Sequence, residues 1–228
     1  MKRMFGSALV GALAILLSHG VVAQKLSKQL TKPSTNIQEQ QKDRDGSPDP
    51  QVAVQMANDY FNATRVMTAD FVQVGADGKH SEGKLYVLKP GRLRFEYALP
   101  ATMEIIADGV SVAVRDRKLH TQQLYFINET PLKFLLKDYL DLKNDVKITD
   151  VSSNAASTII AVRDSSTFGG TSTIKLNFDR KSFALQQWEV TDPQGFQTVV
   201  TLHNIDLKTT PNQSLFRIPP TTFWPMQN

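Results

Sequence analysis

The sequence predicts a mainly β fold, an antiparallel meander carrying a few helices, on three observations. Apolar and polar residues alternate with a period of two over most of the chain beyond Asp70. The alternating segments are joined by short links with turn chemistry: Asp77-Gly78, Lys89-Pro90-Gly91, Asp108-Gly109, Gly169-Gly170 and Asp192-Pro193-Gln194-Gly195. Parallel neighbours would need crossovers of about a dozen residues or more, so links this short favour sequential antiparallel pairing. Helical spacing replaces the alternation at only two places.

Taken in order, the chain opens with Lys2 and Arg3, the apolar run Ala8 to Leu17 and the small-residue exit Val21-Val22-Ala23. This is the layout of a secretory signal peptide, residues 1–23, with export to the periplasm as the expected consequence. The run is shorter than the ~20 apolar residues that cross a bilayer. Loss of Lys2 and Arg3 lowers the formal net charge from +4 to +2, too weak a balance to argue for nucleic acid. The absence of cysteine excludes disulfides and a lipid-modified cysteine anchor. Residues 24–49 are rich in Gln, Lys, Ser, Asp and Pro, with apolar side chains only at Leu26, Leu30 and Ile37. Such a segment buries too little surface to offset its ordering entropy and is read as a disordered leader. The remainder, 50–228, is expected to form a single domain.

Behind Pro50, the residues Val52, Met56, Tyr60 and Phe61 recur at helical spacing, and proline suits a first helical turn. The strands are then Asp70 to Val74, Gly83 to Leu88, Leu93 to Tyr97, Met103 to Ala107, Val110 to Val114 and Leu119 to Phe126. After an interruption come Asp145 to Val151, Thr158 to Val162, Thr173 to Phe178, Ala184 to Val190 and Gln197 to Ile205. The clearest is Leu93-Arg94-Phe95-Glu96-Tyr97, with three apolar residues on one face and charges on the other. The interruption, Thr130 to Leu140, places Leu132, Leu135, Leu136 and Tyr139 on one helical face.

Groups suited to catalysis are sparse. His80, His120 and His203 stand apart, without ligand spacing. Gly109-Val110-Ser111-Val112-Ala113 lacks the last glycine of a nucleophile elbow and lies in alternating sequence. No glycine-rich phosphate loop is present, and the acids Asp141 and Asp145, like Asp43 and Asp45, fall in polar connections where solvated charge is the default. Neither an enzymatic activity nor a cofactor or metal is expected. Aromatic side chains stand out instead: Phe71, Phe95, Tyr97, Phe126, Phe134, Phe178, Trp188 and Phe196. They fit a plain core or the wall of a ligand cavity between sheet and helices, and periodicity does not separate the two.

The run Phe71-Val72-Gln73 followed by Gly83-Lys84-Leu85-Tyr86-Val87-Leu88-Lys89-Pro90-Gly91-Arg92-Leu93-Arg94-Phe95-Glu96-Tyr97 resembles the LolA family of outer-membrane lipoprotein carriers. The similarity continues through Pro100, Ile105-Ile106-Ala107-Asp108-Gly109, Thr130-Pro131-Leu132 and Trp188-Glu189-Val190-Thr191-Asp192, and ends at Phe216-Arg217-Ile218-Pro219-Pro220. The resemblance implies a curved antiparallel sheet forming an incomplete, half-open β-barrel of about eleven strands, with helices inside it as a lid. It implies a chaperone that accepts acylated lipoproteins from an inner-membrane ABC transporter, shelters their acyl chains and delivers them to an outer-membrane acceptor, working as a monomer. Under that reading Phe71, Leu93, Phe95, Tyr97, Met103, Ile105, Val112, Phe126, Trp188 and Val190 become the lipid-binding wall. Met56, Tyr60, Leu132, Leu135 and Leu136 become lid residues.

Carriers of this kind often hold the lid with an arginine directly before the proline of the Lys89-Pro90 turn. Here that position is Lys89, which lacks the planar fork of a guanidinium, and Arg92 and Arg94 are nearby alternatives as latch. A solvated turn residue is the competing reading of Lys89. An alternative function for the same half-barrel is a lipid-binding or envelope-stress sensor module without a carrier role. The need for shelter is physical: at ~0.8 kcal/mol per methylene, an acyl chain of about fifteen carbons costs on the order of 12 kcal/mol to expose to water.

Overall fold

A computed structural model describes residues 48–220 of the chain. The expected signal peptide, 1–23, lies outside the described residues, as does the expected leader 24–49 apart from its last two positions. The described chain begins with helix α1, Pro50–Ala63. Asp49 caps it by accepting the Gln51 N–H at 2.7 Å, and Pro50 occupies the first turn, where no backbone donor is missed. Its end is closed by Thr64, whose N–H and hydroxyl both donate to the Tyr60 carbonyl, at 3.0 and 2.8 Å.

Eleven strands follow: β1 Val66–Val74, β2 His80–Leu88, β3 Arg92–Tyr97, β4 Met103–Asp108, β5 Ser111–Asp116, β6 Thr121–Phe126, β7 Lys147–Ser153, β8 Ser157–Asp164, β9 Ser172–Asp179, β10 Leu185–Thr191 and β11 Gln197–Asp206. All neighbours are antiparallel, and the order is β6-β5-β4-β3-β2-β1-β11-β10-β9-β8-β7. Two meanders, β1 to β6 and β7 to β11, therefore join where the first strand pairs with the last. β6 and β7 are consecutive in sequence but form opposite edges of the sheet, so the barrel stays open. The segment between them must cross the gap, and it carries the 3-10 turn Ile127–Glu129 and the short helices α2, Lys133–Leu136, and α3, Leu142–Asp145.

The sheet is strongly curved. Phe95 on β3 and Trp188 on β10 are four strand positions apart, ~19 Å along a flat sheet, yet their ring centroids are 6.3 Å apart. Register shifts between Thr68 and Asp70, between Leu185 and Gln187 and between Ile148 and Asp150 mark irregularities of the kind that increase local bend and twist. The inward residues of both meanders meet α1 and α2 in one apolar core.

The crossing segment differs from its sequence reading. One helical face was expected over Leu132, Leu135, Leu136 and Tyr139, but α2 stops at Lys137, which is extended, and Tyr139 is 71% exposed. Leu140 and Leu142 are buried in its place. Asp145, expected to begin a strand, closes α3: it accepts the Asp141 N–H at 3.0 Å and pairs with Lys137. A broken path lets successive leucines point inward while the backbone crosses the gap, which one straight helix over this length would not allow.

Candidate functional site

The concave face is apolar because alternation sends one set of side chains inward from each strand. Phe71 on β1, Leu93, Phe95 and Tyr97 on β3, Ile105 on β4, Val112 on β5, and Trp188 and Val190 on β10 all belong to the buried core; Met103 packs against it, partly buried. Phe71 meets Phe95 and Tyr97 edge-on, each at 5.1 Å, and Phe95 continues to Trp188. One inward polar group is satisfied within the wall: the Tyr97 hydroxyl donates to Gln73 Oε1 at 2.8 Å, and burial pushes that phenol far up.

Phe126 does not join this wall. It pairs with Ser111, so the two share a face, while Val112 and its partner Tyr125 take the inward one. Phe126 is consequently 64% exposed, and Tyr125 reaches Phe168 of the β8–β9 loop edge-on at 5.7 Å. A change of one residue along a strand reverses the face, and the alternation around Leu124 and Phe126 gave no sign of which side was dry.

Over the wall lie α1 and α2. α1 presents Ala53, Val54, Ala57 and Phe61 to the core; of the face read from its larger side chains, Phe61 is buried and Tyr60 packs partly buried against the core, while Val52 and Met56 are 51% and 38% exposed. The two alanines let the helix backbone come close to the sheet, a signal that counting bulky residues passes over. Leu132, Leu135 and Leu136 are buried beneath the crossing segment. Phe134, the remaining aromatic of α2, stands edge-on to both Phe61 of α1, at 5.7 Å, and Trp188 of the wall, at 5.8 Å.

Polar bonds hold these pieces in place at a few points. Asn62 clasps Leu140, donating to its carbonyl at 2.9 Å and accepting its N–H at 2.8 Å, while Asn58 accepts the Leu142 N–H at 3.0 Å. The Leu136 carbonyl accepts the Gly91 N–H at 2.9 Å. Gly91 has φ +74°, and a Cβ there would lie 2.7 Å from Gly109 Cα, so only glycine fits this turn beside the β4–β5 turn. Across the gap, Lys133 of α2 pairs with Asp164 at 2.7 Å and donates to Ser166 Oγ at 2.8 Å, and the Phe168 N–H reaches the Glu129 carbonyl at 2.8 Å.

Lys89 is buried at the end of β2, and its ammonium donates to the Phe61 carbonyl at 2.6 Å. That carbonyl lies in the last turn of α1, where it lacks a helical partner and carries the negative end of the helix dipole. Burial, then the charge of Arg65, lowers the Lys89 pKa from the ordinary 10.5 to about 8, opposed by Asp138. Arg92 and Arg94 alternate with the inward residues and so face outward; Arg94 binds Glu104 at 2.5 Å and the Leu215 carbonyl at 3.2 Å, fixing the segment after β11 to the convex side. Of Lys89, Arg92 and Arg94, Lys89 is the one whose side chain bonds α1.

His80, His120 and His203 are exposed on separate elements, and among the described residues no cluster of His, Asp and Glu could hold a metal ion.

Comparison with known proteins bears on this geometry. A family model described as outer membrane lipoprotein carrier protein LolA matches residues 62–219. No curated protein matches the sequence. Among solved structures, a LolA superfamily protein from Nitrosomonas europaea is 9% identical with a TM-score of 0.43, covering 75% of this chain and 99% of that one. A putative outer membrane lipoprotein-sorting protein domain from Vibrio parahaemolyticus is 9% identical with a TM-score of 0.44, over 74% and 97%. The Mycobacterium tuberculosis lipoprotein LppX is 8% identical with a TM-score of 0.40, over 72% and 99%.

Proposed function

From the premise that the chain belongs to the LolA family of outer membrane lipoprotein carrier proteins, we propose that it is a periplasmic chaperone whose concave face shelters the acyl chains of lipoproteins in transit. The observation that carries this reading is the way the apolar face is covered. Its aromatic wall is closed by α1 and the crossing segment, and these are held by a small set of polar contacts at Lys89, Asn62, Asn58, Gly91 and Lys133. Acyl chains that displace Phe61, Phe134 and Leu135 from the wall exchange one apolar contact for another, so the exchange needs little net change in buried apolar area. Non-directional contact of this kind accepts chains of differing length.

In this account the chain is exported by residues 1–23, receives acylated lipoproteins from an inner-membrane ABC transporter and passes them to an outer-membrane acceptor. It acts without enzymatic chemistry of its own: loading draws on the transporter, and release follows an affinity gradient. Lid opening is a shift between closed and loaded populations, set by the differential affinity of the ligand for the open form. Depletion of the protein in its host tests the carrier role. Outer-membrane lipoproteins should accumulate at the inner membrane; correct sorting after depletion would leave a lipid-binding or envelope-stress sensor module as the better reading.

A further inference from the structure

Trp188 carries an anomaly inside the apolar site. Its side chain is 0% exposed, and the indole N–H has no hydrogen-bond partner. A buried donor without an acceptor is uncommon in folded proteins, because it has given up water and received nothing in return. The indole is held by the sheet on one side, against Phe95 at 6.3 Å, and faced by the lid on the other, against Phe134 at 5.8 Å. Phe134 offers a ring there but no oxygen.

We propose that Trp188 is a specificity-determining residue of the cavity, whose indole N–H donates to the carbonyl oxygen of an ester- or amide-linked acyl chain once Phe134 has moved away. This rests on the lipid-sheltering reading above and adds the chemistry that the site selects. An indole donates and cannot accept, so it rewards a ligand that brings an acceptor into a dry environment. Plain alkyl chains satisfy the aromatic wall equally well but leave the N–H unpaired. The closed lid leaves it unpaired too. The same atom therefore disfavours the empty, closed form and favours the form loaded with acyl chains over any loaded with alkyl chains.

The test compares a short-chain diester phosphocholine with its diether analogue of equal chain length, using displacement of a fluorescent fatty-acid probe from the purified protein. Wild type should bind the diester about three- to tenfold more tightly, the range of one neutral hydrogen bond. Trp188→Phe, which keeps an aromatic ring, should lose the preference and bind diester and diether with equal affinity, whatever the absolute affinity of the variant. A second readout is the indole N–H resonance of Trp188 in wild type, identified by comparison with Trp224→Phe, which should move downfield with the diester and not with the diether. Equal wild-type affinities with an unmoved resonance would overturn the assignment of Trp188 while leaving the lipid-sheltering reading intact. So would a preference that survives in Trp188→Phe. Failure of wild type to bind either lipid would remove that reading and this inference together.

Discussion

Lys89 is held where a positive charge is disfavoured, in a buried position beside Arg65, yet its ammonium caps the last turn of α1. Its pKa is lowered to about 8 in the closed form against 10.5 when free. Between these values the exposed lysine binds a proton that the buried one does not, so the folded, closed state gains stability as pH rises from about 8 to 10.5. Below about 8 both states are charged and this contribution is flat. Urea denaturation across this window should show wild type gaining on Lys89→Met, and Lys89→Arg should show no such gain, because a guanidinium stays charged. Parallel curves for wild type and Lys89→Met would mean that the ammonium is solvated. The position of this lysine was legible from the turn Lys89-Pro90-Gly91, but its burial was not, because nothing local tells where the end of α1 lies. Phe126 shows the complementary limit: its strand was evident, while its face depended on pairing with β5.

At the scale of elements, α2 owes its position to a clasp at each end. Gly91 binds its last carbonyl, and Lys133 pairs with Asp164 near its start, the two side chains being 10% and 2% exposed. Removing one member of a buried pair leaves the other charge uncompensated, a loss of about 3 to 5 kcal/mol. Lys133→Met should therefore destabilise the protein by about that much in urea denaturation, and the double change Lys133→Met with Asp164→Leu should recover most of it. Lys84→Met, which breaks an exposed, solvent-screened pair with Asp70, should cost far less. Similar losses for Lys133→Met and Lys84→Met would show that α2 is not fastened through Asp164. The strands were readable one by one because each keeps a period of two and ends in turn chemistry. The crossing segment was readable only as helical, since its direction is set by two sheet edges that are distant in sequence, and a broken path leaves no single period. For α1 the helix was plain from its spacing and Pro50, but the buried face was carried by Ala53 and Ala57, whose small size gives little hydrophobic signal.

For the whole molecule, the pairing of β1 with β11 makes two meanders into one curved sheet with free edges at β6 and β7. That arrangement gives a concavity with a mouth, and the chain's own connection crosses it. Alternation and short turns implied the meander, and the family resemblance implied a half-open barrel of about eleven strands; the pairing of first strand with last is seen only in the structure, because no local pattern encodes which distant edges pair. The same holds for the cavity reading, which rests on aromatic side chains that a plain core would also contain. The most direct test is hydrogen exchange of the purified protein with and without a triacylated lipopeptide. Displacement of the lid predicts faster exchange in α1 and in residues 130–142 on loading, with the central strands β1 and β11 still protected. Unchanged exchange in both lid segments, or protection confined to the outer surface around Leu124 and Phe126, would contradict the claim that acyl chains enter the concave face.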